Sequence, residues 1–262
     1  MMPGRPHGHL HHTRAFGVPG LPGTRACTVY LPPGYDPAGA QRYPVAYMFD
    51  GQNLFGDAGS YAGGWHLHRL LDGRASQGKP VPIVVGIHHG GLHRAEDLSP
   101  WRVGRRHHGR ADALLDWIVG TLRRYVQEDL RALSGPEHTL LGGSSLGGLA
   151  ALYGWLRHPE VFGRVLAMSP SCWVNREELH RLALQGRWPS LARVYLDAGG
   201  REMGGQVLRD GAHLAALLAA RGLSPAARQL LWRPDQRGSH NERAWRRRLP
   251  KALRFLYDGA LR

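Results

Sequence analysis

Thr139-Leu-Leu-Gly-Gly-Ser-Ser-Leu-Gly-Gly148, followed by Leu149-Ala-Ala-Leu-Tyr-Gly-Trp-Leu156, reads as an apolar strand, a sharp turn and a helix in immediate succession. Within it, Gly143-Ser144-Ser145-Leu146-Gly147 has the spacing G-x-S-x-G. That spacing has a steric reason. A serine on a tight strand-to-helix turn projects above a sheet only if the residues two before and two after it lack a Cβ. The helix that follows aims its N-terminus at the serine, where negative charge is favoured. With 11 serines and 36 glycines in 262 residues, chance alone supplies about 0.2 such matches. The motif therefore counts only because strand and helix flank it. The plainer alternative is a glycine-rich turn in an ordinary βα unit. Ser144 is the poorer choice of the two serines, because Leu146 stands where its second glycine should be.

Outward from this stretch, apolar runs alternate with amphipathic ones, the pattern of βαβ units and a mostly parallel sheet. Strands are expected at Arg25–Leu31, Tyr43–Phe49, Pro82–Ile87, Thr139–Gly143, Val165–Met168, Arg193–Leu196 and Gln229–Arg233. Helices are expected from Asp112 to about Leu130, over Leu146–His158 and Gln206–Ala220, and over Glu242–Tyr257 with Pro250 as a kink. Between them run loops at Gly51–Gly64, His88–Arg110, Ser171–Pro189 and Arg233–His240. Several of these follow a strand's carboxyl end, the edge where open α/β sheets build sites. Residues 1–22 are rich in Gly, Pro and His and are expected to be disordered; residues 23–262 are expected to form one domain.

Composition narrows the classes. No stretch approaches the ~18 unbroken apolar residues of a membrane span, and the N-terminus has no apolar signal core, so a cytoplasmic protein is expected. Cys27 and Cys172 have no metal-ligand or redox spacing and are expected to be buried thiols. The net charge is +14, but the basic residues are dispersed and show no RNA- or DNA-binding signature. The one dense cluster, Arg243, Arg246, Arg247, Arg248 and Lys251, reads as a solvated helix face. The loop histidines His66, His68, His88, His89, His93, His107 and His108 have no metalloenzyme spacing. No metal, cofactor, nucleic-acid or membrane partner is expected, and oligomeric state is not readable.

A serine nucleophile needs a base, and the base needs an orienting carboxylate. His158, His180, His213 and His240 follow Ser145. Only His240 lies in a polar loop directly after the last strand, where the base belongs. Asp197 and Glu202, at and beyond the end of the preceding strand, are the candidates for the acid. Glu202 is preferred because its loop can turn towards His240. A tetrahedral intermediate also needs two N–H donors; Leu146, after the nucleophile, and Gln52, after Gly51, are the choices. Trp65, Trp101 and Trp173 lie in three of the loops and could line a pocket, or equally pack beneath them.

These segments, taken in order, resemble the esterase branch of the α/β-hydrolase superfamily. That branch holds enterochelin-type siderophore esterases, feruloyl and acetylxylan esterases, S-formylglutathione hydrolases and mycolyltransferases. The resemblance rests on Thr28-Val-Tyr-Leu-Pro-Pro-Gly-Tyr, Tyr43 to Phe55, Ile83-Val-Val-Gly-Ile with Leu98-Ser-Pro-Trp, the serine motif, Met168-Ser-Pro-Ser, Tyr195-Leu-Asp-Ala-Gly-Gly-Arg-Glu and Gly238-Ser-His-Asn-Glu-Arg-Ala-Trp. It implies an α/β-hydrolase fold with no large lid domain. It also implies Ser145, His240 and Glu202 as nucleophile, base and acid, with Gln52 and Leu146 as oxyanion donors. The acid loop departs from the branch's common Gly-Thr-x-Asp/Glu: here it is Gly199-Gly200-Arg201-Glu202. The implied reaction is hydrolysis of a small-molecule ester, with anionic or sugar-linked esters suited to the positive charge. An acyltransferase using the same triad and a non-catalytic binding protein are the alternatives.

Overall fold

The computed structural model describes residues 7–105 and 108–259. In chain order the strands are β1 (His9–His12), β2 (Phe16–Gly17), β3 (Thr24–Arg25), β4 (Cys27–Leu31), β5 (Val45–Phe49), β6 (Ile83–Ile87), β7 (Thr139–Ser144), β8 (Arg164–Met168), β9 (Arg193–Gly199) and β10 (Leu230–Asp235). The helices are α1 (Leu67–Ala75), α2 (Arg94–Asp97), α3 (Ala111–Trp117), α4 (Arg123–Asp129), α5 (Leu146–Arg157), α6 (Arg176–Gln185), α7 (Gln206–Ala220) and α8 (Glu242–Tyr257). Eight strands form one sheet in the order β1-β4-β6-β5-β7-β8-β9-β10, and β2 pairs with β3 apart from it. From β6 to β10 every pairing is parallel; β1 and β4 join antiparallel at one edge.

The alternation of side chains along the central strands sends apolar groups to both faces. Val45, Tyr47 and Phe49 of β5 enter one core with Leu114 of α3, Leu149 of α5 and Leu214 of α7. Ala46 and Met48 enter the other with Leu71 of α1 and Leu249, Leu253 and Leu256 of α8. Each such leucine, when buried, contributes roughly 1.5–3 kcal/mol of transfer free energy. α8 is thus held along its length, and Pro250 is accommodated inside it.

Where sequence and structure differ, local contacts account for it. Of residues 1–22, expected to be disordered, 1–6 lie outside the described residues, and 9–12 pair with β4 in the register His9↔Leu31 to His12↔Thr28. Val18 and Leu21 are buried in the core, at 4% and 8% exposure. Low hydrophobicity did not prevent order here, because backbone pairing along a free sheet edge needs no apolar side chains. The helix expected from Asp112 is divided by a π turn at Ile118–Leu122, yet Leu115, Ile118, Leu122 and Val126 are all buried along it. α2 and α6 fall in stretches read as loop, and α1 lies between the Gly51–Gly64 loop and the Pro82–Ile87 strand, where no element was expected. For α6 the signal was present: the Asn175 side chain caps the helix by accepting from the Glu178 N–H at 3.2 Å, with two acids in its first turn.

Arg25 and Asp97 are both 1% exposed or less. Arg25 donates to both carboxylate oxygens, at 3.0 and 2.7 Å, and the Gly90 N–H donates to the same carboxylate at 3.0 Å. The pair ties the loop after β6 to β3. Asp97→Ala, which leaves a guanidinium buried without its counter-ion, is expected to cost about 3–5 kcal/mol of stability. Urea unfolding followed by circular dichroism measures it, and a loss below about 1 kcal/mol would contradict this account. Cys27 and Cys172 are free and buried; burial pushes both thiols up to about 12, so neither is a nucleophile at neutral pH. No helix among the described residues is long and apolar enough to cross a membrane.

Candidate active site

Ser145 sits between β7 and α5 with φ 57° and ψ −123°, a conformation L-residues rarely adopt. The glycines around it are needed. A Cβ on Gly143 would lie 2.7 Å from the backbone of Gly147, and one on Gly147 would lie 3.1 Å from the Phe49 Cβ. The turn places the Ser145 hydroxyl 2.9 Å from His240 Nε2. His240 Nδ1 lies 3.1 Å from Glu202 Oε2. Three side chains from the loops after β7, β9 and β10 are thereby joined in one chain of contacts. Ser171 Oγ is a further 3.3 Å neighbour of the Ser145 hydroxyl.

Of the two acids left open by the sequence, Glu202 is the one that reaches His240. It is 1% exposed, and its Oε1 accepts from the Gly199 N–H at 3.0 Å and the Ser169 hydroxyl at 2.8 Å. Asp197 lies deeper. It accepts from the Ser169 N–H at 3.1 Å, the Tyr195 hydroxyl at 3.1 Å and Arg248 Nε at 3.0 Å. Burial pushes its carboxyl up to about 6, against the pull of Arg248.

Arg248 is therefore not part of a solvated face. It is 6% exposed and lies against the buried carboxylates. It sits on the core-facing side of an amphipathic helix, which a run of consecutive arginines conceals. Trp245, one turn before it, stands edge-on to the His240 ring, with centroids 5.1 Å apart, and donates to Ser169 Oγ at 3.0 Å. Ser169, Ser171, Trp245 and Arg248 were not singled out by sequence reasoning. The first three lie in segments the resemblance rests on, but no spacing in them announces contact with the acid or the serine.

Gln52 lies in a 3-10 turn, Gly51–Asn53, entered through Asp50 at φ 56°. Arg94 grips the Asp50 carboxylate with two bonds of 2.7 and 2.8 Å. The same carboxylate would be 3.2 Å from a Cβ on Gly147, so this turn abuts the start of α5. Gln52 and Leu146 both stand in the first turn of their helices, where an N–H has no acceptor in the helix itself.

The three tryptophans separate. Trp65 is 2% exposed and packs on Trp245; Trp101 is half-buried edge-on to Tyr153; Trp173, two residues after Ser171, is 38% exposed. Only Trp173 presents much of its surface to an incoming molecule. Among the loop histidines, burial lowers the basicity of His68, His88 and His89, and His88 Nε2 bonds the Thr28 hydroxyl at 2.9 Å. His107 lies outside the described residues. No group of three or more His, Cys, Asp or Glu among the described residues is placed to hold a metal ion.

A mostly parallel eight-stranded sheet flanked by helices, with a glycine-framed serine on a strand-to-helix turn, defines an α/β-hydrolase fold. The model of the esterase family described as "Putative esterase" matches residues 19–256, and the chain belongs to that family of carboxylic ester hydrolases. It is 26% identical over 193 residues to the uncharacterized protein YbbA of Bacillus subtilis, covering 69% of this chain and 70% of that protein. It is 33% identical over 129 residues to the iron(III) enterobactin esterase of Escherichia coli K12, covering 47% of this chain and 30% of that one. The chain spans less than half the length of the curated siderophore esterases it matches. The structure of the siderophore hydrolase EstB of Aspergillus nidulans superposes with a TM-score of 0.71 at 21% identity, covering 98% of this chain and 97% of that one.

Proposed function

We propose that the protein is a serine esterase that cleaves a small-molecule carboxylic ester through an acyl-enzyme. The observation that carries this reading is the unbroken path from the Ser145 hydroxyl through His240 to Glu202, at 2.9 and 3.1 Å. Both distances are within hydrogen-bond range.

In this reading His240 Nε2 takes the Ser145 proton as the oxygen attacks the ester carbonyl. Glu202 accepts from Nδ1–H, which holds the other nitrogen free as the base, and its buried charge offsets the imidazolium that forms. The oxygen of the tetrahedral intermediate is held by the N–H groups of Gln52 and Leu146. The imidazolium returns its proton to the departing alcohol, leaving Ser145 acylated. Water, deprotonated by the same histidine, then releases the acid and restores the serine.

The siderophore esterases among the relatives, together with the +14 charge of the chain, favour an anionic or polyphenolic ester as substrate. Trp173 is the exposed aromatic surface against which such a ring can lie. A fluorophosphonate probe reports on the nucleophile directly. It is expected to label the protein once, on the peptide containing Ser145, with loss of p-nitrophenyl acetate turnover in proportion to labelling. Labelling elsewhere, or full labelling with turnover intact, would remove Ser145 from the role.

A further inference from the structure

We propose that Ser169 is a positioning residue: its hydroxyl stands between Arg248 and Glu202 and holds the guanidinium at ion-pair distance, short of a direct hydrogen bond to the acid that orients His240. The proposal rests on the triad reading above and deepens it.

Ser169 follows β8, is fully buried, and has φ 45°. Its Oγ has three polar side-chain neighbours: Trp245 Nε1 at 3.0 Å, Arg248 Nη2 at 2.8 Å and Glu202 Oε1 at 2.8 Å. An indole N–H and a guanidinium N–H can only donate, while a hydroxyl has one proton and two lone pairs. Both lone pairs are therefore taken, and the proton has one place to go, Glu202 Oε1. The hydroxyl cannot rotate away without leaving a buried donor unpaired, which costs about 1–3 kcal/mol.

Arg248 Nη2 stops 3.6 Å from that same carboxylate oxygen, outside hydrogen-bond range. Its counter-ion is Asp197, bonded to Nε at 3.0 Å. Around the buried Glu202, a guanidinium bonded straight to the carboxylate would take more of the charge that His240 needs opposite it than one held at 3.6 Å. The serine hydroxyl occupies the gap. It absorbs the Arg248 N–H and passes a neutral hydrogen bond to the acid. The charged and titratable groups gathered on Arg248 of α8 are then Glu202 after β9, which also reaches His240, Asp197 on β9 with the Tyr195 hydroxyl bonded to it, and Asp235 at the end of β10, whose Oδ2 lies 3.9 Å from Arg248 Nη1.

The test is Ser169→Gly. Glycine adopts φ 45° without strain, so the change removes the hydroxyl and relieves the backbone. Arg248 is then free to close on Glu202. The expected result is a kcat lower by about 10–100-fold, with KM changed by less than about twofold. The acid limb of the kcat/KM profile moves to lower pH, because a base whose partner carboxylate is partly neutralised holds its proton less tightly. The downfield proton resonance of the His240 Nδ1–H moves upfield. Ser169→Cys keeps a side-chain atom in the gap and a weak donor and is expected to fall between the wild type and Ser169→Gly. An acid limb unmoved in both variants overturns the proposal, whether or not kcat falls, since a purely structural role would lower activity without moving it. If Ser145→Ala turned over like the wild type, the triad reading itself would fail. The Nδ1–H resonance would still report whether Ser169 governs the Glu202–His240 contact.

Discussion

Ser145→Ala is expected to lower kcat for p-nitrophenyl acetate by about a million-fold. Alanine preserves everything that shapes the turn, since any L-residue meets the same φ of 57° there and the glycines at 143 and 147 are untouched. What disappears is the hydroxyl 2.9 Å from His240 Nε2, the oxygen proposed to become acylated. Ser171 Oγ, 3.3 Å from the lost hydroxyl, bonds no histidine among the described residues and is not expected to replace it. The N–H groups proposed to hold the oxyanion remain, so a residual rate of roughly 10³–10⁴ over water is expected to survive. Steady-state kinetics beside a thermal melt by circular dichroism decide the matter. A well-folded variant that retained more than about one per cent of wild-type turnover would show that another group carries the reaction.

Glu202→Gln is expected to lower kcat by about 10⁴-fold while barely changing the fold. The reason lies in which oxygen the donors hold. Oε1 accepts from both the Ser169 hydroxyl and the Gly199 N–H. The amide of a glutamine must place its oxygen there, because its NH₂ would face two donors. The NH₂ is then directed at His240 Nδ1, which has to become the acceptor. The imidazole proton moves to Nε2, and the nitrogen facing Ser145 is no longer a base. The wild type has no such conflict, since an ionised carboxylate accepts at both oxygens. Ser145 should still react, slowly, with a fluorophosphonate. A kcat within tenfold of wild type would mean that the carboxylate does not choose the tautomer.

The serine turn could be read directly from the chain because its requirements are local: an apolar strand, glycines where a Cβ would collide, and a helix-forming run. The central strands were recognisable for a related reason. β5 to β8 are covered on both faces, so their sequences are almost continuously apolar and stand out from what surrounds them. Elements at the margin were harder. β1, His-Leu-His-His, is exposed at every residue and is held by backbone bonds to β4, so its sequence has no alternation to detect. α1 begins at His66 in a left-handed conformation with no capping side chain, which removes the usual start signal.

The site was partly readable for the same reason. His240 and Glu202 could be placed by their position after strands, because chain order and sheet topology constrain where loops emerge. The layer beneath them could not. Ser169, Asp197 and Arg248 come from the turn after β8, from β9 and from α8, and meet only when the sheet and its flanking helix are assembled. An arginine among arginines looks solvated until the helix face that holds it is known.

α8 begins two residues after His240 and carries both Trp245 and Arg248, while Leu249, Leu253 and Leu256 anchor the same helix beneath the sheet. The loop that carries His240 and the side chains that support its partner Glu202 thus depend on a single rod. Any loosening of that rod, by heat, denaturant or a neighbour pressing on it, disturbs the histidine and the support of its acid together, so the protein should fall silent well before its strands come apart.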